Sequence, residues 1–487
     1  MDPQTYTEMD GVAIAEAVRR RDCSAVEVAQ AALERIGAAD GELGAFTVTL
    51  AELALAGAEA VDAAVARGED TGPLAGVPVS IKDTLWMRGA LATNGSLALR
   101  DFVPDRDCVP VARIRASDAP IVGKTNNPEF CYRGYTDNAL WGVTRNPWNR
   151  ERTPGGSSGG AGASVAAGMT PMAVGTDGGG SVRIPASYCG LVGVKPTFGL
   201  VPKEPGFPGW KTLSIIGPLT RTVRDAAALL AVMAGVHPAD DMSYPGGDRD
   251  FVAAAAIGAR GDLSGLRVAY SVDGGFAAVD PDVRRAFAAA VERFADTGAT
   301  PVETYPATGD ATALWELIAG AEGFASEGPL LAEHEAEMTP GTAAIIRAGD
   351  IPARQYIEAM HERARYTTAW SEFFSDYDLL LSPTMQSTAF GLGVEGPAEI
   401  DGRHFGPTSN EWANLILSAN LTGQPAVTVP CGTGDDGLPI GLQITARRFE
   451  DALALRAAAA WEALAPWPRL APGWSSEPEP TSGAAAA

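Results

Sequence analysis

The chain is poor in positive charge, cysteine and histidine, and each shortage removes a class of function. Its 37 lysines and arginines face 60 aspartates and glutamates, a formal net charge of −23. Such a surface repels a phosphate backbone, so no nucleic-acid partner is expected. The five cysteines (Cys23, Cys108, Cys131, Cys189 and Cys431) are scattered, odd in number and without a Cys-x-x-Cys pair. That argues against a zinc site or a disulfide framework and for a reducing, cytoplasmic compartment. The opening MDPQTYTEMD has neither a basic n-region nor an apolar h-region, so no signal peptide is expected. No run of about 18 apolar residues escapes charge or Gly/Pro punctuation, so no membrane span is expected either. There is no internal repeat. The four histidines, His237, His334, His361 and His404, leave few candidates for an imidazole base.

What is plentiful is core and glycine. A hydrophobic fraction of 46% with 20% charged residues is that of a globular protein. Two glycine runs stand out, 153–161 (TPGGSSGGA) and 175–183 (GTDGGGSVR). Glycine is costly to order, so serine-bearing runs of it suggest backbone that must approach a reacting group. Gly178-Gly-Gly-Ser181 would aim consecutive N–H groups into one concavity, suited to a developing oxyanion.

Around these runs, strand and helix patterns alternate. Residues 10–67 read as helices, with Ser24-Ala-Val-Glu27 a capping-box signature and 46–50 a short strand. Residues 76–83 read as a buried strand ending at Lys82. Further strands are expected at 119–123, 170–175, 266–270, 378–383, 424–430 and 438–444, and helices at 108–115, 161–168 and 280–294. Alternation of this kind predicts an α/β layered fold, and apolar strands at both ends of the chain favour one continuous domain. The domain is expected over 1–474, with 305–375 a mainly helical region covering a pocket, and 475–487 a disordered tail.

Three motifs compete. Gly155-Gly-Ser157-Ser-Gly159 fits the nucleophile elbow of an α/β-hydrolase-type esterase, with Asp378 and His404 as acid and base, but nothing around His404 looks like a catalytic loop. Residues 118–125 end like a phosphate loop yet begin with Asp118 and contain Pro120, which makes them structural. Lys82, at a strand end, has a bland reading as a solvated terminus. Beside two serine-bearing turns, however, a desolvated lysine is a neutral base that replaces the missing histidine.

Taken together, residues 76–83 (GVPVSIKD), 154–160 and 175–185 resemble the amidase signature family, with a serine spacing of 24 between Ser157 and Ser181. Further matches are Gly123-Lys-Thr-Asn126, residues 141–148, 189–196 and 217–221, then Gly423-Gln-Pro-Ala426 and residues 437–443. The resemblance is dense over about 70–225, returns at 378–462 and is thin over 226–375.

The resemblance implies an α/β/α layered single domain with a large mixed central sheet flanked by helices. It implies Ser181 as nucleophile, Ser157 as bridging serine after a cis Gly156–Ser157 peptide, and Lys82 as base. It implies an oxyanion hole from the N–H groups of Gly178, Gly179, Gly180 and Ser181. Asp177 and Arg183 would fix the turn, Ser158 would support it, and Cys131 would line the substrate site with Ser157. It implies hydrolysis of a small amide or carbamate (urethane) through an acyl-enzyme, with no metal or cofactor, in a monomer or homodimer. A rival within the family is the amidotransferase component that supplies ammonia to misacylated tRNA in a complex. Pocket walls are expected from 200–216, 305–375 and 385–415, with Phe207, Trp210, Phe390, Phe405 and Trp412 as candidate aromatics.

Overall fold

The computed structural model describes residues 1–245, 250–406 and 408–474; the expected disordered tail at 475–487 lies outside them. In chain order the strands are β1 (Phe46–Thr49), β2 (Val79–Lys82), β3 (Ile121–Thr125), β4 (Met172–Asp177), β5 (Val192–Lys195), β6 (Ile215–Thr220) and β7 (Arg267–Tyr270). They continue with β8 (Thr300–Glu303), β9 (Leu379–Pro383), β10 (Glu399–Ile400), β11 (Arg403–His404), β12 (Ala426–Thr433) and β13 (Pro439–Ala446). Eleven of them build one mixed sheet in the order β1-β3-β2-β4-β6-β5-β12-β13-β9-β7-β8, and β10 and β11 form a separate hairpin. Antiparallel pairing of β5 with β12, Val194 opposite Val427, zips the early strands to the late ones. Apolar strands at both ends of the chain therefore serve one sheet in a single α/β/α domain.

Period-two alternation sends side chains to two cores. Leu379 and Leu381 of β9 and Val268 of β7 join a cluster with Val28, Ile36, Leu229, Leu455 and Trp461. Leu380 and Ala269 point the other way, into a cluster with Trp315, Ile318, Trp370 and Phe374. The first face is covered by helices Ala25–Leu43, Val223–Met233 and Asp451–Leu464; the second by Thr312–His334 and Ala353–Asp376. Helix Ala25–Leu43 begins with the expected capping box, Ser24 and Glu27 satisfying each other's backbone.

Three sheet strands were not legible from periodicity. β5 is only four residues long, Val-Gly-Val-Lys, too short for a pattern. β6 contains Pro218, which argues against a central strand; here its ladder with β5 is confined to Val192–Thr220 and Gly193–Leu219. β8 contains Pro301 and occupies one edge of the sheet, where proline is tolerated.

The sheet's register places the chemistry. β2 and β4 run parallel as neighbours, so Lys82 and Thr176-Asp177 emerge at the same edge, the carboxyl ends where such sheets bind ligands. β4 passes directly into the glycine turn 178–181, followed by helix Arg183–Cys189. Helix Gly159–Ala166 starts immediately after Ser157-Ser158 and packs beside it: a Cβ on Gly162 would lie 3.0 Å from the Pro185 Cβ.

The closeness of β5 and β6 is testable. A Cβ at Gly217 would stand 2.0 Å from the Val194 carbonyl oxygen. Gly217→Ala is expected to lower the urea unfolding midpoint by the equivalent of about 1–3 kcal/mol, with little change in the slope. An unchanged midpoint would contradict this register.

Candidate active site

Lys82 is fully buried at the end of β2. Its amine donates to the Ser157 hydroxyl at 2.6 Å and to the Thr176 hydroxyl at 2.8 Å. Among the described residues no carboxylate lies within ion-pair distance of it. Burial is the largest influence on this amine and pushes its pKa below the ordinary lysine value; the Cys131 thiol, then Asp177 and Asp83, pull more weakly the other way. Ser157 follows a cis Gly156–Ser157 peptide. Gly156 has no room for a side chain, since a Cβ would meet the Tyr135 carbonyl oxygen at 2.4 Å.

The second turn is built around a buried ion pair. Asp177 accepts from Arg183 Nε at 2.9 Å and Nη2 at 3.0 Å, a two-point contact with both side chains fully buried. Burial alone would raise the Asp177 pKa, but the Arg183 guanidinium and the Asn420 amide hold the carboxyl far below the usual range. Arg183 also donates to the Ile416 carbonyl, Gln443 Oε1 and Asn420 Oδ1. Asp177 additionally accepts the N–H groups of Gly180 (2.8 Å) and Val182 (3.2 Å). The Gly180 N–H, one of the oxyanion-hole donors expected from the sequence, is thus directed at the Asp177 carboxylate. The N–H groups of Gly178, Gly179 and Ser181 meet no protein acceptor among the described residues. Ser158 ties the two turns together: its N–H donates to the Ser181 carbonyl and its hydroxyl to the Thr176 carbonyl, each at 3.2 Å.

Ser157, Thr176, Gly178 and Ser181 line one narrow cavity of about 90 Å³. Its far wall is aromatic, from Trp86, Phe130, Phe207 and Trp210, and also carries Lys203 and Glu327. Ser181 faces a second, smaller lobe as well, bounded by Gly179, Trp315, Asn410 and Trp412. Cys131 lines both lobes, with φ +62°. Glu327 is buried, which pushes its carboxyl up to about 7, and it accepts from the Tyr132 hydroxyl at 2.7 Å.

Lys82, Ser157, Ser181, Gly178, Gly179, Cys131, Asp177, Arg183 and Ser158 thus converge on one edge of the sheet. Phe207, Trp210 and Trp412 reach the lobes. Phe390 does not: its ring packs between Tyr188 and Trp412 in a buried cluster. Phe405 lies under the Arg403 guanidinium on the hairpin side. His404 is exposed beside Glu399 and Asp378 pairs with Arg267, so neither lines the cavity around Ser157. Lys124, the end of the phosphate-loop look-alike, donates to the carbonyls of Asp83, Leu85 and Leu91 and is a buried strut. Thr176, Tyr132, Trp315 and Glu327 were missed. Thr176 sat inside a quoted motif without a signal of its own, and the other three come together only through the fold.

The family described as Amidase matches residues 27–455 of the chain. The chain is similar to an acylamidase of Rhodococcus erythropolis, 36% identical over 95% of this chain and 97% of the relative. It is also similar to a glutamyl-tRNA(Gln) amidotransferase component of Salinispora tropica, 37% identical over 94% of this chain and 97% of that protein. Among solved structures, a bacterial aryl acylamidase of the amidase signature family superposes with a TM-score of 0.89 at 30% identity, covering 96% of this chain and 99% of that one. Matches this long, on a fold and a site already convergent, leave one conclusion: the chain belongs to the amidase signature family of C–N hydrolases.

Proposed function

We propose that the protein hydrolyses a small aryl amide or carbamate through an acyl-enzyme on Ser181, with Ser157 relaying protons to a neutral Lys82. The observation that carries this reading is the 2.6 Å contact between a fully buried lysine amine and the Ser157 hydroxyl. An amine surrounded by hydroxyls and kept from water loses its proton more readily than an ordinary lysine.

Lys82 takes the Ser157 proton while Ser157 takes that of Ser181, and the Ser181 Oγ forms a bond to the substrate carbonyl carbon. Negative charge moves onto the carbonyl oxygen, where the N–H groups of Gly178, Gly179 and Ser181 receive it. The relay then runs backwards: the leaving nitrogen gains a proton as the C–N bond breaks, leaving an ester on Ser181. Water, losing its proton to the same relay, cleaves that ester and releases the acid. Asp177 and Arg183 touch no reacting atom in this scheme; they hold the turn.

The lining of Trp86, Phe207 and Trp210 supports an aryl substituent, and the small volume supports a compact one. The helices over 305–375 cover the cleft in this reading. The amidotransferase reading requires a glutamine, with two charged groups at its α-carbon, in place of that substituent. Hydrolysis of a simple anilide by the purified chain, without ATP or partner, separates the two.

Ser181→Ala and Lys82→Ala are each expected to lower kcat on a small aryl anilide by about 10,000-fold while circular dichroism stays unchanged; wild-type-like turnover in either would refute the relay. The base works only when uncharged, so kcat/KM should fall as pH drops through a midpoint below the ordinary lysine value of 10.5, measurable as a pH–rate profile. A rate independent of pH from 5 to 10 would speak against Lys82 as base. Asp177→Asn leaves Arg183 buried without its counter-charge and is expected to cost about 3–5 kcal/mol of stability, read by denaturant unfolding. Stability equal to wild type would show that the pair is dispensable.

A further inference from the structure

The helix Thr312–His334 lies where the family's motifs are thin, yet one of its faces is built into the catalytic edge. Trp315, Glu322 and Ser326, at intervals of seven and four, share a helical face. Glu322 accepts the N–H (3.0 Å) and the hydroxyl (2.6 Å) of Thr212. Ser326 accepts the Gly209 N–H at 2.9 Å, and the adjoining Glu327 accepts from Tyr132. These contacts anchor the aromatic loop of the cavity wall to the helix.

Trp315 reaches further. Its buried indole Nε1 donates to the Gly178 carbonyl at 2.8 Å, the one side-chain donor found on that oxygen among the described residues. The Gly178–Gly179 peptide is trans, so the Gly179 N–H points opposite to that carbonyl. The same ring leaves no room beside the backbone: a Cβ at Gly179 would lie 2.5 Å from the Trp315 Cζ2. On the neighbouring residue, a Cβ at Gly178 would lie 2.5 Å from the Trp210 Cε3. The two tryptophans meet edge to face, with ring centroids 5.2 Å apart.

We infer that Trp315 is a positioning residue for the oxyanion hole: its indole N–H fixes the Gly178–Gly179 peptide so that the Gly179 N–H stays aimed at the developing negative charge. A peptide between two glycines has no side chain to limit its rotation. Turned over, it would present its carbonyl oxygen where the donor is needed, repelling the oxyanion. Trp315 removes that alternative by hydrogen-bonding the carbonyl on the other side. The inference rests on the reading of Ser181 as nucleophile, and it adds a contribution from a helix outside the recognisable motifs.

The test replaces the donor and keeps the ring. Trp315→Phe removes the N–H, and benzothienylalanine at position 315 keeps the bicyclic shape with sulphur in place of N–H. The second variant carries the test if the first is poorly folded. Both are expected to lower kcat on an aryl anilide by about 10-fold or more, given the 100- to 1000-fold cost of deleting a hole donor outright. KM and the midpoint of the pH–rate profile should stay within about twofold. Affinity for a trifluoromethyl ketone, whose adduct with a serine carries an anionic oxygen, should fall by the same factor as kcat. Affinity for the product acid should not change. A kcat within twofold of wild type in the benzothienylalanine variant, or a raised KM with unchanged kcat, would overturn the inference and leave Trp315 a wall residue. Failure of the underlying reading shows elsewhere, as wild-type protein inert towards anilides or fully active after Ser181→Ala.

Discussion

A lysine amine shut away from water, with hydroxyls as its neighbours, is the constraint on which this site depends. An ammonium with no carboxylate within ion-pair distance among the described residues is expensive in a dry interior, and the neutral amine is the cheaper occupant. The sheet creates that condition by ending β2 at Lys82 inside the domain, against Ser157 and Thr176. The acid–base character assigned to the amine thus follows from where the strand stops. Lys124 shows the contrast. It is equally buried, but three backbone carbonyls receive its amine, so its hydrogens are spent on holding backbone together.

The turn that faces the lysine is rigid for a different reason. Asp177 and Arg183 belong to the early part of the chain, but Arg183 also grips Ile416, Asn420 and Gln443 from the late part. A guanidinium has five donors in fixed directions, and here they join both halves of the sheet at the edge where chemistry is placed. Gly180 is drawn to Asp177 by the same network, while Gly178 and Ser181 line the cavity and Gly179 and Ser181 the second lobe. The helix Thr312–His334 adds a third hold through Trp315. Glycines supply the close approach, and packing supplies the order that glycine lacks.

Much of this was legible in the sequence. The α/β layering followed from alternating strand and helix patterns, and the choice of Lys82, Ser157 and Ser181 as candidates from the resemblance to a known family. What was illegible lies in three physical categories. β5 is too short to show a period, and β6 and β8 contain prolines that local rules read as loop. Phe390 and Phe405 were placed by residue type alone, and nothing in an aromatic residue tells a pocket wall from a core cluster. Tyr132 meets Glu327 across 195 residues, and Trp315 meets Gly178 across 137. Such contacts are properties of the fold, so a reading limited to motifs named the candidate lysine and serines and missed the residues packed beside their turns.

The most direct measurement is the titration of the Lys82 amine itself, followed by nitrogen-15 NMR in protein labelled at lysine Nζ and assigned with Lys82→Arg. A signal that converts from ammonium to neutral amine at a pH below the 10.5 of an ordinary lysine is the predicted result. An amine that remains charged up to that value would contradict the account, because Ser157 would then have no base to receive its proton.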